Sequence, residues 1–278
     1  MIAYVNNSFT EEENATLRVG DLAIQRGYAA FDYLRIKNNC ALFLEDYLDR
    51  FYCSAELLYL HPAQTKEEVK QIILELIEKN NIAESGIRMI LTGGYSPDSY
   101  GPDLPNLVIL QQNLRLPSSE KFAAGVKVIT YEYQRELPHI KSINYLMGIW
   151  LQQKIKQQNA SDVLYHKHEI VSELPRANVF IVTRDEKIIT PVENILPGIT
   201  RMKLLEIASG KFQIEERDIT LYELKNAAEV FMTSTTKRIL PINQVDEFII
   251  GKGKAGPYTT QLNNAFISME NAVISGQI

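Results

Sequence analysis

Cysteine, long apolar runs and a surplus of positive charge are what this sequence has little of. Two cysteines, Cys40 and Cys53, occur in 278 residues, outside any Cys-x-x-Cys spacing. A disulfide framework or a zinc knuckle is therefore not indicated, and a reducing cytoplasm is expected. No apolar run approaches the roughly 20 residues of a membrane-spanning helix, so no membrane partner is expected. The N-terminus, Met1-Ile2-Ala3-Tyr4-Val5-Asn6-Asn7, lacks the charged and apolar regions of a signal peptide. Lys and Arg number 29 against 34 Asp and Glu, a net charge of -5 with the signs interspersed, which argues against a nucleic-acid partner. Gly-x-Gly-x-x-Gly, a Walker loop and Gly-x-Ser-x-Gly are all missing. His166 and His168 share a strand face, but two ligands make no closed site, and no metal is expected.

Hydrophobic residues make up 45% of the chain, ample for a core. Turn signals at Asn6-Asn7 and Asn38-Asn39 separate short strands in the first 40 residues or so. Helical spacing then predicts helices over about 45–60 and 66–80. Strands at 87–91 and 106–110 flank a long Gly-, Pro- and Tyr-rich loop, 92–105, long enough to expect a function. Its tyrosines, Tyr95 and Tyr100, suit a lid or dimer contact. Leu116-Pro117-Ser118-Ser119 is the candidate linker, giving a smaller domain over 1–116 and a larger one over 117–278 that carries Lys141. In the second half the pattern predicts strands at 126–130, 163–165, 170–171, 179–182, 188–189 and 229–233. It predicts helices from Lys141 to about 158, over 199–209 and 220–226, and over 259–273 at the end. Helices and strands mix in both halves, an α/β chain (α+β mixed) of two domains, with strands too short and scattered for a doubly wound sheet.

Five stretches carry candidate chemistry. In His139-Ile140-Lys141-Ser142-Ile143-Asn144-Tyr145 a lysine follows a Pro-containing segment and heads an apolar-periodic run. It is either a surface lysine or, if desolvated, an amine nucleophile able to form a Schiff base. Arg50 sits among aromatic and apolar neighbours and suits a phosphate, or a salt bridge to Asp46 or Asp49. Glu173 leaves a strand beside an apolar one, and is a solvated turn residue or a buried carboxylate facing a protonated ring nitrogen. Leu196-Pro197-Gly198-Ile199-Thr200-Arg201 opens a helix as an anion cup or an ordinary start. Phe231-Met232-Thr233-Ser234-Thr235-Thr236 ends a strand in hydroxyls that bond locally or to an anion.

In this order, these stretches resemble the class IV aminotransferases, the fold-type IV enzymes that include branched-chain and D-amino-acid aminotransferases and aminodeoxychorismate lyases. Arg26-Gly27 through Phe31-Asp32-Tyr33, and the helix with Arg50-Phe51-Tyr52-Cys53-Ser54-Ala55, match as well, so the resemblance covers nearly the whole chain. It implies two α/β domains, pyridoxal 5'-phosphate between them, and a homodimer whose partner loop closes the site. Lys141 becomes the Schiff-base lysine and the proton shuttle, and Glu173 the partner of the ring nitrogen. Arg50, Ile199, Thr200 and Thr235 hold the phosphate, Tyr145 hydrogen-bonds the ring oxygen, and the backbone at Thr235-Thr236 faces the substrate carboxylate.

Substrate choice follows from departures within the resemblance. D-specific members and the lyases usually carry Arg-Gly where this chain has Gly93-Gly94, so that carboxylate trap is absent. Arg35 and Arg88 match arginines of the branched-chain group. Tyr33 stands where that group has a glycine and Arg26 where it has a tyrosine, adding bulk and charge to the side-chain pocket. Arg176, in Leu174-Pro175-Arg176-Ala177, binds either a substrate carboxylate or a surface acid. The expectation is transfer of an amino group between an L-amino acid, branched-chain-like, and a 2-oxo acid. The alternatives are a lyase, a D-amino-acid aminotransferase, and a cofactor-free relative kept for binding.

Overall fold

A computed structural model of the chain describes residues 1–114 and 116–277. Arg115 and Ile278, which the two expected domains include, lie outside the described residues. Two compact units emerge, one of Met1–Arg115, Ile140–Asn144 and Ala272–Ile278, the other of Leu116–His139 and Tyr145–Asn271.

The first unit contains β1 (Ile2–Val5), β2 (Ser8–Glu11), α1 (Leu22–Arg26), β3 (Ala29–Lys37), β4 (Cys40–Ala41), α2 (Leu44–Leu57), α3 (Lys66–Asn80), β5 (Glu84–Thr92) and β6 (Leu107–Asn113). Its antiparallel sheet runs β2-β1-β6-β5-β3-β4. Along β3, Ala30, Asp32, Leu34 and Ile36 lie opposite Leu91, Met89, Ile87 and Ser85, and all eight are fully buried. Phe31, Tyr33 and Arg35 point the other way, because successive side chains alternate across a strand. Helix α2 packs on the sheet with Tyr47, Leu48, Phe51 and Ala55 buried, the spacing that predicted it. Helix α3 starts in a capping box between Thr65 and Glu68.

Lys141 belongs with this first unit, not with the larger second one to which the linker position assigned it. The cause is strand-like pairing: Ser142 bridges Ala30, Phe31 N–H donates to the Lys141 carbonyl at 2.8 Å, and Ile143 N–H donates to the Ala29 carbonyl at 3.1 Å. This pairing also corrects the expected helix from Lys141 to about 158. Held extended at β3, the segment turns helical only at Leu146, and the run divides into Leu146–Trp150 and Gln152–Gln157.

The second unit contains α4 (Ser119–Ala124), β7 (Val126–Glu132), α5 (Leu146–Trp150), α6 (Gln152–Gln157), β8 (Asp162–Lys167), β9 (Ile170–Val171), β10 (Glu173–Leu174), β11 (Ala177–Val182), β12 (Ile188–Thr190), α7 (Ile199–Ala208), β13 (Ile214–Glu216), β14 (Ile219–Thr220), α8 (Leu221–Asn226), β15 (Glu229–Ser234), β16 (Arg238–Val245), β17 (Phe248–Ile249) and, up to Asn271, α9 (Pro257–Ile274). Its mixed sheet runs β13-β12-β11-β15-β16-β7-β8-β9-β14, with β10 on β11 and β17 on β16. Val179, Ile181, Val230, Met232, Leu240 and Ile242 form the core on one face. Phe180 stacks on Phe231 on the other, ring centroids 5.1 Å apart. The linker expected at 116–119 runs straight into α4. The sequence pattern gave no strand at β16, which sits between β15 and β7 and contains Pro241. A proline removes a ladder donor, and the register shift between Ile242 and Gln244 marks the irregularity there.

The long loop after β5 is fastened at both ends. Asp21, fully buried, caps α1 by accepting from Ala23 N–H at 2.7 Å. Its second oxygen accepts from the Thr92 hydroxyl at 2.7 Å and the Asn106 amide at 2.8 Å. Within the loop, the Ser96 hydroxyl and the Gly101 and Tyr100 N–H groups hold the Asp98 carboxyl down at about 2. Asp21→Ala strands two buried donors and is expected to lower unfolding stability by roughly 2–4 kcal/mol, at about 1–3 per unsatisfied group. A denaturant titration with a loss under about 0.5 kcal/mol would contradict this.

Candidate active site

The first unit gathers Lys141, Phe31, Tyr33, Arg35 and Arg88 around one sheet face. The Lys141 N–H donates to the Ser54 hydroxyl oxygen at 3.2 Å, and Ser54 is fully buried on α2. With the pairing to β3, this fixes the lysine's backbone while the side chain reaches over the Phe31 ring, its nitrogen 4.8 Å from the centroid. The Arg88 guanidinium lies 5.6 Å from the same ring and 5.3 Å from that of Tyr33, and its Nε donates to Gln112 at 3.0 Å. Arg35, buried one strand pair further on, approaches Glu84 at 3.6 Å. Burial pushes the Tyr33 hydroxyl up, with Arg88 pulling it down, so at neutral pH it is a neutral hydrogen-bond donor. Its ring occupies the space above Gly86, where a Cβ would come within 2.0 Å of the hydroxyl oxygen.

On the helix-covered face of the sheet, Arg50 is paired with Asp32, a partner the local sequence did not offer. Nε donates to one carboxylate oxygen at 2.9 Å and Nη2 to the other at 2.7 Å, both residues buried. A guanidinium has five N–H donors, and the two bonds to Asp32 fix its plane. Arg50 and Ser54 are one helical turn apart, so α2 presents both on the same side.

Gly93 and Gly94 follow β5. A Cβ at Gly94 would come within 2.1 Å of the Leu104 carbonyl oxygen, and one at Gly93 would meet Leu22 and Tyr28 at 3.0 Å. The backbone therefore holds no room for an arginine side chain at 93 without moving these neighbours.

The second unit gathers Glu173, Asn178, the start of α7 and the end of β15. Glu173 is buried; one oxygen accepts from Arg135 Nε at 2.8 Å and the other from Leu196 N–H at 2.9 Å. Arg135 also donates to the Pro138 carbonyl. Asn178, opposite Glu173 on one side and Thr233 on the other, donates to the Leu196 carbonyl at 2.8 Å. A Cβ on Gly198 would lie 2.1 Å from its carbonyl oxygen. Gly198 caps α7 with no side-chain bond, and Ile199 and Thr200 are buried in the first turn. Arg201 anchors the helix to Glu216 at 2.6 Å and to the Pro191 carbonyl at 2.9 Å. At the strand end, the Thr233 and Ser234 hydroxyls are buried without a partner, and Thr235 and Thr236 are half-buried in the turn. Tyr145 is half-buried at the head of α5, while Arg176 is exposed in the β10–β11 turn and touches none of this cluster in the bonds described. Among the described residues no three His, Cys, Asp or Glu are grouped to hold a metal.

The uncapped start of a ten-residue helix and two stranded hydroxyls offer donors, and a buried carboxylate offers an acceptor, a set that fits a phosphorylated heterocycle. The family model described as amino-transferase class IV matches residues 29–245. A D-alanine aminotransferase of Listeria monocytogenes is 34% identical over 275 residues, 96% of this chain and 95% of that protein. This chain belongs to the class IV aminotransferases. A branched-chain-amino-acid aminotransferase-like protein of Arabidopsis thaliana is 30% identical, covering 96% of this chain and 50% of its own length. The branched-chain amino acid aminotransferase of Escherichia coli superposes with a TM-score of 0.91 at 22% identity, over 96% of this chain and 93% of that one. A putative 4-amino-4-deoxychorismate lyase of Legionella pneumophila gives 0.85 at 23%, over 94% and 97%. The expected mixed α/β fold of fold-type IV is thus the fold observed, and enzymes of this family use pyridoxal phosphate.

Sequence reasoning missed Ser54, Asp32, Arg135 and Asn178 as supports. Only Ser54 left a signal, four residues after Arg50 on an apolar helix face. Asp32→Ala leaves Arg50 without this carboxylate and is expected to cost roughly 3–5 kcal/mol. Ser54→Ala strands one N–H at roughly 1–3 kcal/mol. Chemical unfolding of both variants checks the order, and a larger loss for Ser54→Ala would contradict it.

Proposed function

We propose that this aminotransferase is pyridoxal-phosphate-dependent and moves an amino group between an L-amino acid and a 2-oxo acid. The observation that carries the proposal is the fixed backbone of Lys141 beside Phe31, Tyr33 and Arg88. It fixes the stem of the lysine, whose side chain reaches over the Phe31 ring with its nitrogen 4.8 Å from the centroid. When bound, the cofactor supplies an aldehyde carbon for the lysine and an electron-withdrawing ring for the substrate's α-carbon. Lys141, released by the incoming amine, would take the proton from the substrate's α-carbon and deliver it to the former aldehyde carbon of the cofactor. Glu173, held by Arg135 and the Leu196 N–H, accepts from the ring N–H. The Tyr145 hydroxyl donates to the ring oxygen. Arg50, the Ile199 and Thr200 N–H groups and Thr235 hold the phosphate. Arg35, Arg88, Tyr33 and the backbone at Thr236 orient the substrate. Arg176, exposed, is left to a substrate carboxylate arriving from outside or to a surface acid.

The absent arginine at Gly93 supports the L-enantiomer, and Tyr33 with two arginines supports a pocket more polar than a plain aliphatic one. The named D-alanine aminotransferases support a second reading, a D-specific enzyme, and the lyase-like neighbour a third. A homodimer in the cytoplasm is part of the proposal. Leu146, Ile149 and Trp150, exposed on one turn of α5, give it an apolar surface. Among the described residues no helix is long and apolar enough to cross a membrane.

In single-turnover assays, L-amino acids are expected to discharge the cofactor's near-visible band at least about tenfold faster than D-enantiomers, a difference of about 1.4 kcal/mol in barrier. The opposite order selects the D-specific enzyme, and pyruvate release without a 2-oxo acid selects the lyase. Lys141→Ala is expected to lose roughly a thousandfold or more in turnover, the scale of a missing acid–base group. Near-normal turnover in that variant would refute its role.

A further inference from the structure

The turn between β15 and β16 is fixed more firmly than a three-residue connection requires. Lys237 N–H closes it on the Ser234 carbonyl at 3.2 Å. Next comes Arg238 with a φ of +54°, a left-handed backbone that side chains other than Asn and Asp seldom adopt. Strained residues persist where their surroundings over-determine them, and they concentrate at ligand clamps. The surroundings here are two ion pairs. The Arg238 guanidinium meets Glu270 of α9 with Nε 3.0 and 3.1 Å from its two oxygens and Nη2 at 2.7 Å. Glu270 is only 2% exposed. Lys237 Nζ donates to Asp162 of β8 at 2.7 Å, and that carboxylate, 4% exposed, also accepts from Val163 N–H at 2.9 Å. Two consecutive cations thus tie the turn to two different elements.

On the other side of the turn the pattern reverses. Thr233, 1% exposed, and Ser234 bring hydroxyls that are buried without a partner. Local packing alone rarely leaves such groups unpaired. An immobile backbone on one flank and unspent donors on the other describe a platform awaiting an acceptor-rich ligand.

We propose that Arg238 and Lys237, through Glu270 and Asp162, are positioning residues that hold the Thr235–Thr236 turn rigid as a platform for the cofactor's phosphate group. The inference rests on the assignment of Thr235 to that phosphate. Neither cation reaches the ligand. Each acts by removing the freedom of the turn, so its loss weakens affinity for the phosphate and leaves recognition of the ring unchanged.

The test compares pyridoxal 5'-phosphate with pyridoxal, which lacks the phosphate, by titrating each into the apoprotein and following absorbance. The double variant Arg238→Gly with Glu270→Gln removes the pair without burying a lone charge and relieves the left-handed backbone. It is expected to bind pyridoxal 5'-phosphate at least about tenfold more weakly, with pyridoxal affinity changed less than about twofold. Equal losses for both ligands, or none, would overturn the proposal. If the double variant does not fold, Lys237→Gln probes the second anchor in the same titration, with the same expected divergence and the same overturning result. Thr235→Ala separates this proposal from the assignment beneath it. If Thr235→Ala keeps the full preference for the phosphorylated ligand, the assignment fails and the proposal with it. If Thr235→Ala loses that preference while the anchor variants keep it, the positioning role alone is overturned.

Discussion

The backbone of Lys141 is fastened to the edge of a strand, and the chemistry open to the first unit follows from that. Phe31 donates to its carbonyl, Ser54 accepts its N–H, and Ser142 bridges Ala30. A lysine at a mobile loop would lose its orientation with each loop motion. Here the backbone is held and the side chain lies over the Phe31 ring, which Arg88 also approaches. The same strand carries Asp32 on its other face, where it fixes Arg50. β3 and α2 thereby set the position of both an amine and a guanidinium.

The second unit works by backbone as much as by side chain. Asn178 and Glu173 grip Leu196 from both sides, one through its carbonyl and one through its N–H. The Leu196-Pro197-Gly198 turn is therefore fixed before α7 begins, and Arg201 ties the helix to β12 and β13. The close approach of Asn178 demands glycine at 198, since any Cβ would collide with its carbonyl oxygen. A bare helix start, with N–H groups that no side chain caps, is the consequence.

Much of this was legible from local pattern. The helices α2, α3, α7 and α9 declared themselves because their apolar faces repeat within the element, and the order of the five chemical stretches pointed to the family. What was illegible depends on partners far away in the chain. Arg50 finds Asp32 18 residues back and Glu173 finds Arg135 38 residues back, neither at a helical or strand spacing. The extended course of Ile140–Asn144 was hidden for the same reason, since its cause is the edge of β3 and not its own residues. β16 was hidden by Pro241, which reads locally as a strand breaker and is absorbed by an irregular register. Substrate choice depends on Tyr33, Gly86 and Arg88, whose arrangement exists only once β3 and β5 are paired.

The most direct measurement of the central claim is peptide mapping by mass spectrometry after borohydride reduction of the cofactor-loaded protein. The account predicts a phosphopyridoxyl mass on the peptide containing Lys141 and on no other lysine. The same mass on a different lysine, with Lys141 unmodified, would contradict it.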